Sequence, residues 1–135
     1  MQTVHEIQQE GIRFIIGIPD YPLNLWVDHF FVSYGNPGFS QKRVFPNNNV
    51  DIFFNLGSLN KGKLEHATHG FDFKDTVVSG LRSSFMSISP TGSFDIAGMR
   101  FKLSGFSSLF DIPAIEIANE NLCAYDVLGT EANRI

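Results

Sequence analysis

Asp51 is the residue in this sequence best placed to do chemistry. It interrupts the apolar run Val50-Asp51-Ile52-Phe53-Phe54. On an extended strand Val50, Ile52, Phe54 and Leu56 share one face, while Asp51, Phe53 and Asn55 share the other. A carboxylate buried there must be ion-paired or strongly hydrogen-bonded, because an isolated charge is costly in an apolar interior. Arg43, Arg82 and Arg100 lie in or beside expected strands and are the candidate partners. Two readings follow. In one, Asp51 is a paired or solvent-facing structural charge. In the other, it is a polar anchor for a ligand inside the fold, with Arg43, Asp51, Phe53 and Arg100 as the binding set.

Other chemistries have weaker supports. A metal site in a small β fold wants two or three histidines together with a carboxylate. His5 and His29 stand alone, whereas His66 and His69 flank a short segment next to Glu65. That segment, Lys61 to Gly70, reads as a polar, glycine-flanked loop, so no metal and no cofactor are expected. Cys123 is the single cysteine. It excludes an intrachain disulfide, fits a reducing, cytoplasmic setting, and reads as a small packed side chain rather than a nucleophile. Neither Gly80-Leu81-Arg82-Ser83-Ser84 nor Gly105-Phe106-Ser107-Ser108 has the form of a nucleophile elbow. Gly35-Asn36-Pro37-Gly38 reads as a turn, not a phosphate loop. No catalytic residue is assigned, and the chain is read as a non-enzyme.

Dense Gly and Pro punctuation as far as Gly98 leaves room mainly for strands. These are expected at Ile12–Ile18, Val27–Tyr34, Gln41–Phe45, Val50–Asn55, Thr76–Leu81, Ser84–Ser89 and Phe94–Leu103. In the last of them Met99, Phe101 and Leu103 should face one way, and Arg100, Lys102 and Ser104 the other. Beyond Gly105 the spacing of Phe106, Leu109 and Phe110 predicts a helix. Asp111-Ile112-Pro113 then predicts a second, with Asp111 as N-cap and Pro113 in its first turn. Ile115, Ile117 and Leu122 should continue an apolar face, and a last helix should begin near Asp126 or Thr130.

The chain's 135 residues make one domain, with 10 basic against 14 acidic residues and a net charge of -4. Scattered cations on an acidic background argue against a nucleic-acid-binding surface. The opening MQTVHEIQQEGIRF lacks a signal peptide's basic start and long apolar run. Its apolar stretch Phe14 to Ile18 is too short to span a bilayer. With 14 phenylalanines against one tryptophan and three tyrosines, the sequence points to an aromatic core, or to an apolar pocket or interface.

The segment Arg43-Val44-Phe45-Pro46-Asn47-Asn48-Asn49-Val50-Asp51-Ile52 resembles an Arg-x-x-Pro-Asp-Gly-x-x-Asp/Glu motif. That motif occurs in a domain of unknown function that precedes the helix-turn-helix of many AraC-type bacterial regulators. Pro22 to Phe31 is similar to the opening of that domain. Gly98-Met99-Arg100-Phe101 is similar to its Gly-x-Arg-Phe strand, and Ile112 to Ile117 and Asp126-Val127-Leu128-Gly129 to its tail. Two departures concern turns: Asn47-Asn48 stands for Asp-Gly, and Leu103-Ser104 for a frequent Pro-Gly. The resemblance implies a mainly β fold, a cupin-like or jelly-roll β-barrel or sandwich, followed by two or three short C-terminal helices. It implies that residues 1–135 are an N-terminal regulatory domain that senses a small-molecule effector, mediates dimerisation, or does both, and that DNA is read only through a further domain beyond Ile135. The alternative is a stand-alone cupin-like binding protein or enzyme.

Overall fold

A computed structural model describes residues 2–126 apart from Phe39, Ser40, Phe45, Leu59, His66, Ala67, Lys74 and Tyr125. Among the described residues eleven strands form two antiparallel sheets. In chain order they are β1 (Gln2–Gln9), β2 (Ile12–Ile18), β3 (Val27–Gly35), β4 (Lys42–Val44), β5 (Asp51–Asn55), β6 (Asn60–Leu64), β7 (Phe71–Phe73), β8 (Thr76–Ser79), β9 (Met86–Pro90), β10 (Phe94–Phe101) and β11 (Asn121–Cys123). The larger sheet runs β1-β2-β3-β10-β5-β8-β11 and the smaller β4-β9-β6-β7. From β3 to β10 the chain mostly alternates between sheets, giving the inner order 3-10-5-8 facing 4-9-6-7. That is the strand order of a jelly roll. The β1–β2 hairpin extends one edge of the larger sheet, and β11 extends the other. The arrangement is an open sandwich rather than a closed barrel.

Local chemistry explains most elements. The β1–β2 hairpin closes on Glu10-Gly11, both at positive φ (54° and 81°), a two-residue turn whose twist matches its strands. Gln2–Gln9 is a strand although its sequence is polar, because it pairs along β2 instead of filling a core. The expected loop Lys61 to Gly70 is corrected in the same way. Its first half belongs to β6, where Lys61 and Lys63 point out and Asn60 and Gly62 are buried. The alternation was present, but its inward positions are polar or small, so it carried no hydrophobic signal. At the other end, β10 stops at Phe101, and Leu103 is exposed instead of continuing the face of Met99 and Phe101.

Helix α1 (Gly105–Phe110) forms where expected. Asp111 is its C-cap, in the left-handed conformation at φ 57°, and not the N-cap of a following helix. Aspartate tolerates this conformation better than most residues. Pro113 leads instead into a short 3-10 segment, Ala114–Ile117, which buries Ile117 and leaves Ile115 exposed. Leu122 lies on strand β11, not on a helical face. Ala124 and Asp126 are helical, and the final helix expected further on lies outside the described residues. Among the described residues no helix is long and apolar enough to cross a membrane.

Two cores result. Ile52, Val78 and Phe101, from the outer face of the larger sheet, pack with Phe106 and Ile117. Between the sheets, Phe73, Val77 and Met86 pack with Phe53, Leu64, Phe71 and Ile88. Strand β5 is therefore covered on both faces, where the sequence pattern suggested one.

Candidate ligand-binding site

Cross-strand register builds the site. Arg100 on β10 stands opposite His29 on β3 and Asp51 on β5. Asp51 in turn stands opposite Ser79 on β8, and Ser79 opposite Asn121 on β11. Opposed residues share a sheet face. His29, Arg100, Asp51, Ser79 and Asn121 thus form one polar row across the larger sheet, on the face turned toward the smaller one. Two residues along each strand, a second row reads Phe31, Gly98, Phe53, Val77 and Cys123. A polar row lies beside a mostly apolar one.

Asp51 is 1% exposed, and among the described residues only Arg100 hydrogen-bonds its carboxylate, side-on. Arg100 Nε donates to Oδ1 at 2.8 Å and Nη2 to Oδ2 at 3.0 Å. This bidentate fork is the strong geometry for a guanidinium and a carboxylate. The hydrogen bond to Asp51 raises the Arg100 pKa above its ordinary value against the opposing effect of burial. Arg82 supplies a second cation. It follows β8, and its backbone bridges to Asn47 in both directions. Its side chain is buried, and Nη1 donates to Ser79 Oγ at 2.8 Å. Burial pushes the Arg82 pKa down; Asp51 opposes this and Arg100 adds to it. Arg82 Nε and Asn121 Oδ1 are buried without a hydrogen-bond partner. Such orphans are uncommon and call for an explanation.

Aromatic rings form the floor next to this row. Phe14, Phe31, Phe53, Phe73 and Phe71 make a continuous chain from β2 across to the second sheet, with Phe31 and Phe53 edge to face at 5.7 Å. Gly98 makes the floor possible. A Cβ there would clash with the Phe31 ring and stand 2.8 Å from the Ile52 carbonyl oxygen. Gly62 on the smaller sheet is overlaid by Phe71 in the same manner.

Of the residues singled out in the sequence, Asp51, Phe53 and Arg100 come together on this face. Arg43 does not join them. It lies on β4 in the other sheet, exposed, paired with Glu65 at 3.1 Å and stacked over Phe85 at 4.2 Å. With Gln41, Lys63 and Ser87 it borders an open polar groove on the far side of that sheet. Sequence reasoning named Arg82 only as a possible partner of Asp51 and gave Ser79, Phe31, His29 and Asn121 no role. Only strand register joins them, and no local motif encodes it. Cys123 is exposed rather than packed. His29 bonds Asp28 at 2.7 Å, His69 stands in an exposed turn, and His66 lies outside the described residues. Among the described residues no three His, Cys, Asp or Glu side chains converge as a metal would require.

Residues 17–123 match the family model described as Domain of unknown function (DUF6597). The chain belongs to this family. The match contains the polar row from His29 to Asn121, so the DUF6597 domain carries the site whole. No curated protein matches the sequence. In fold, the DUF6597 domain is similar to a protein of unknown function from Vibrio parahaemolyticus: TM-score 0.56, 7% identity, covering 73% of this chain and 98% of that one. It is also similar to the cupin domain of Schizosaccharomyces pombe Cnp3: TM-score 0.55, 14% identity, covering 82% and 77%. Against a variant of the oxalate decarboxylase of B. subtilis the TM-score is 0.52 at 9% identity, with 84% of this chain but 36% of the enzyme covered. At these identities the likeness shows the fold alone, and that fold is cupin-like.

Proposed function

We propose that this DUF6597 domain is the regulatory domain of an AraC-type transcription regulator, sensing a small molecule and dimerising, and that it is not itself an enzyme. The observation that carries the reading is the polar row beside the aromatic floor, on the interior face of a cupin-like sandwich. Ligand sites are typically apolar surfaces with a few convergent polar groups, and this face has that composition. The net charge of -4 suits a segment that leaves DNA contact to a separate domain.

The test is to fuse residues 1–135 to an AraC-type helix-turn-helix module and screen small molecules by thermal shift and promoter reporter together. A ligand that binds the native state must raise its apparent stability. An effector that does so and also changes reporter output supports the regulator. A compound consumed by the isolated domain would replace the regulator with an enzyme. Sedimentation as a monomer at working concentrations would remove the dimerisation part.

A further inference from the structure

Resting on the sensing role just proposed, we infer that the ligand is an aromatic monocarboxylate, held by the outward edge of Arg100 with its ring on Phe31 and Phe53.

Three observations lead there. First, the interior charges do not balance. Among the described residues, Arg82 and Arg100 face one buried carboxylate, Asp51. Asp28, at the bulge of β3, acts on Arg100 as well, but it is bonded to His29 and 52% exposed, so water screens much of its charge. A surplus cation in a half-buried place favours an anion.

Second, one edge of the fork is unused. Asp51 takes Nε and Nη2 of Arg100, and among the described residues nothing accepts from Nη1. The side chain is 32% exposed and Nη1 is not among the buried unpartnered atoms, so this edge can be reached from outside. Behind it Arg82 Nε also has a donor to spare. Asp51 has both oxygens committed to Arg100, which makes it a positioning residue. It aims the guanidinium and does not touch the ligand.

Third, the aromatic row begins two residues along the strands, a step of about 6.5 Å. Phe31 and Phe53 are half-buried there, edge to face, with Gly98 between them keeping the surface low. A carboxylate on the Arg100 edge and a ring one short linker away spans that step. Carboxylate geometry and single charge match one planar guanidinium edge and one surplus cation. A phosphate dianion would bring twice the charge to the same donors. A neutral polyol would leave the surplus charge unanswered.

The experiment compares 3-phenylpropionate with 3-phenylpropionamide, which share shape and differ in charge. Titration calorimetry and thermal shift on the 135-residue chain should show the acid binding at least about ten-fold more tightly, equivalent to ~1.4 kcal/mol. Arg100→Gln is the variant, because it removes the surplus cation, leaves Arg82 to balance Asp51, and keeps an amide that can still donate to the Asp51 carboxylate. It should fold and bind acid and amide alike. Equal binding by the unaltered chain, or an acid preference that survives in Arg100→Gln, overturns the inference. Stabilisation by neutral compounds with none from any carboxylate overturns it while the sensing role stands. A panel of both kinds without any stabilisation overturns both.

Discussion

The two faces of the larger sheet use the same strands for opposite purposes. On the outer face Ile52, Val78 and Phe101 meet α1 and the 3-10 segment, and their neighbours are apolar and tightly buried. Phe101, Phe106 and Phe110 pack ring to ring at 5.1 to 6.0 Å. On the inner face, the residues alternating with these are Arg100, Asp51 and Ser79, with orphan polar atoms at Arg82 and Asn121. An apolar contact needs only area and fit. A polar row needs register, since each charge must find its partner at bonding distance. The outer face therefore supplies stability, and the inner face gives up some of the fold's tolerance for a specific arrangement.

The largest effect should come from the outer face. Phe101→Ala removes a fully buried ring between β10 and α1 and is expected to cost about 3–5 kcal/mol in urea unfolding. A loss below ~1 kcal/mol would mean that α1 does not seal this core. Asp51→Ala comes next, at roughly 3 kcal/mol, because it leaves two guanidinium groups without their common counter-charge. If it proves as mild as a surface change, the inner row is not a buried electrostatic unit and the contrast between the faces disappears.

Gly98→Ala sharpens the comparison on the inner side alone. The new methyl meets Phe31 and the Ile52 carbonyl, so about 1–3 kcal/mol of overpacking is expected. Chemical-shift changes in NMR spectra should centre on Phe31 and Phe53 and leave Phe106 unchanged. Shifts spread evenly over both faces would show that the two cores are coupled. Smallest is Arg43→Ala on the second sheet, where an exposed pair with Glu65 is worth less than about 1 kcal/mol. A greater loss, or a loss of ligand binding, would return Arg43 to the site.

Legibility in the sequence followed hydrophobic pattern. Ile12–Ile18 was readable to the residue, and Val27–Gly35 and Asp51–Asn55 to within one. Gln2–Gln9 and Asn60–Leu64 were not, because polar or small residues occupy positions that pairing alone makes strands. At the turn after α1, Asp111-Ile112-Pro113 fits either a C-cap or an N-cap. The packing of Ile117 decides between them.

The sequence by itself determined that the fold is mainly β and that Asp51, set among apolar neighbours on a strand, would have to be paired once buried. It also placed Phe53 on the same face as Asp51, since side chains alternate along any extended chain. Which arginine answers Asp51 was a tertiary decision. Arg43, Arg82 and Arg100 were equivalent in sequence, and they differ because β10 hydrogen-bonds β5 whereas β4 pairs with β9 in the other sheet. The same pairing set the aromatic floor beside the charges and left Arg82 buried behind them. Strand order and register are long-range properties, settled by which surfaces can be covered together, and no short segment of the chain records them.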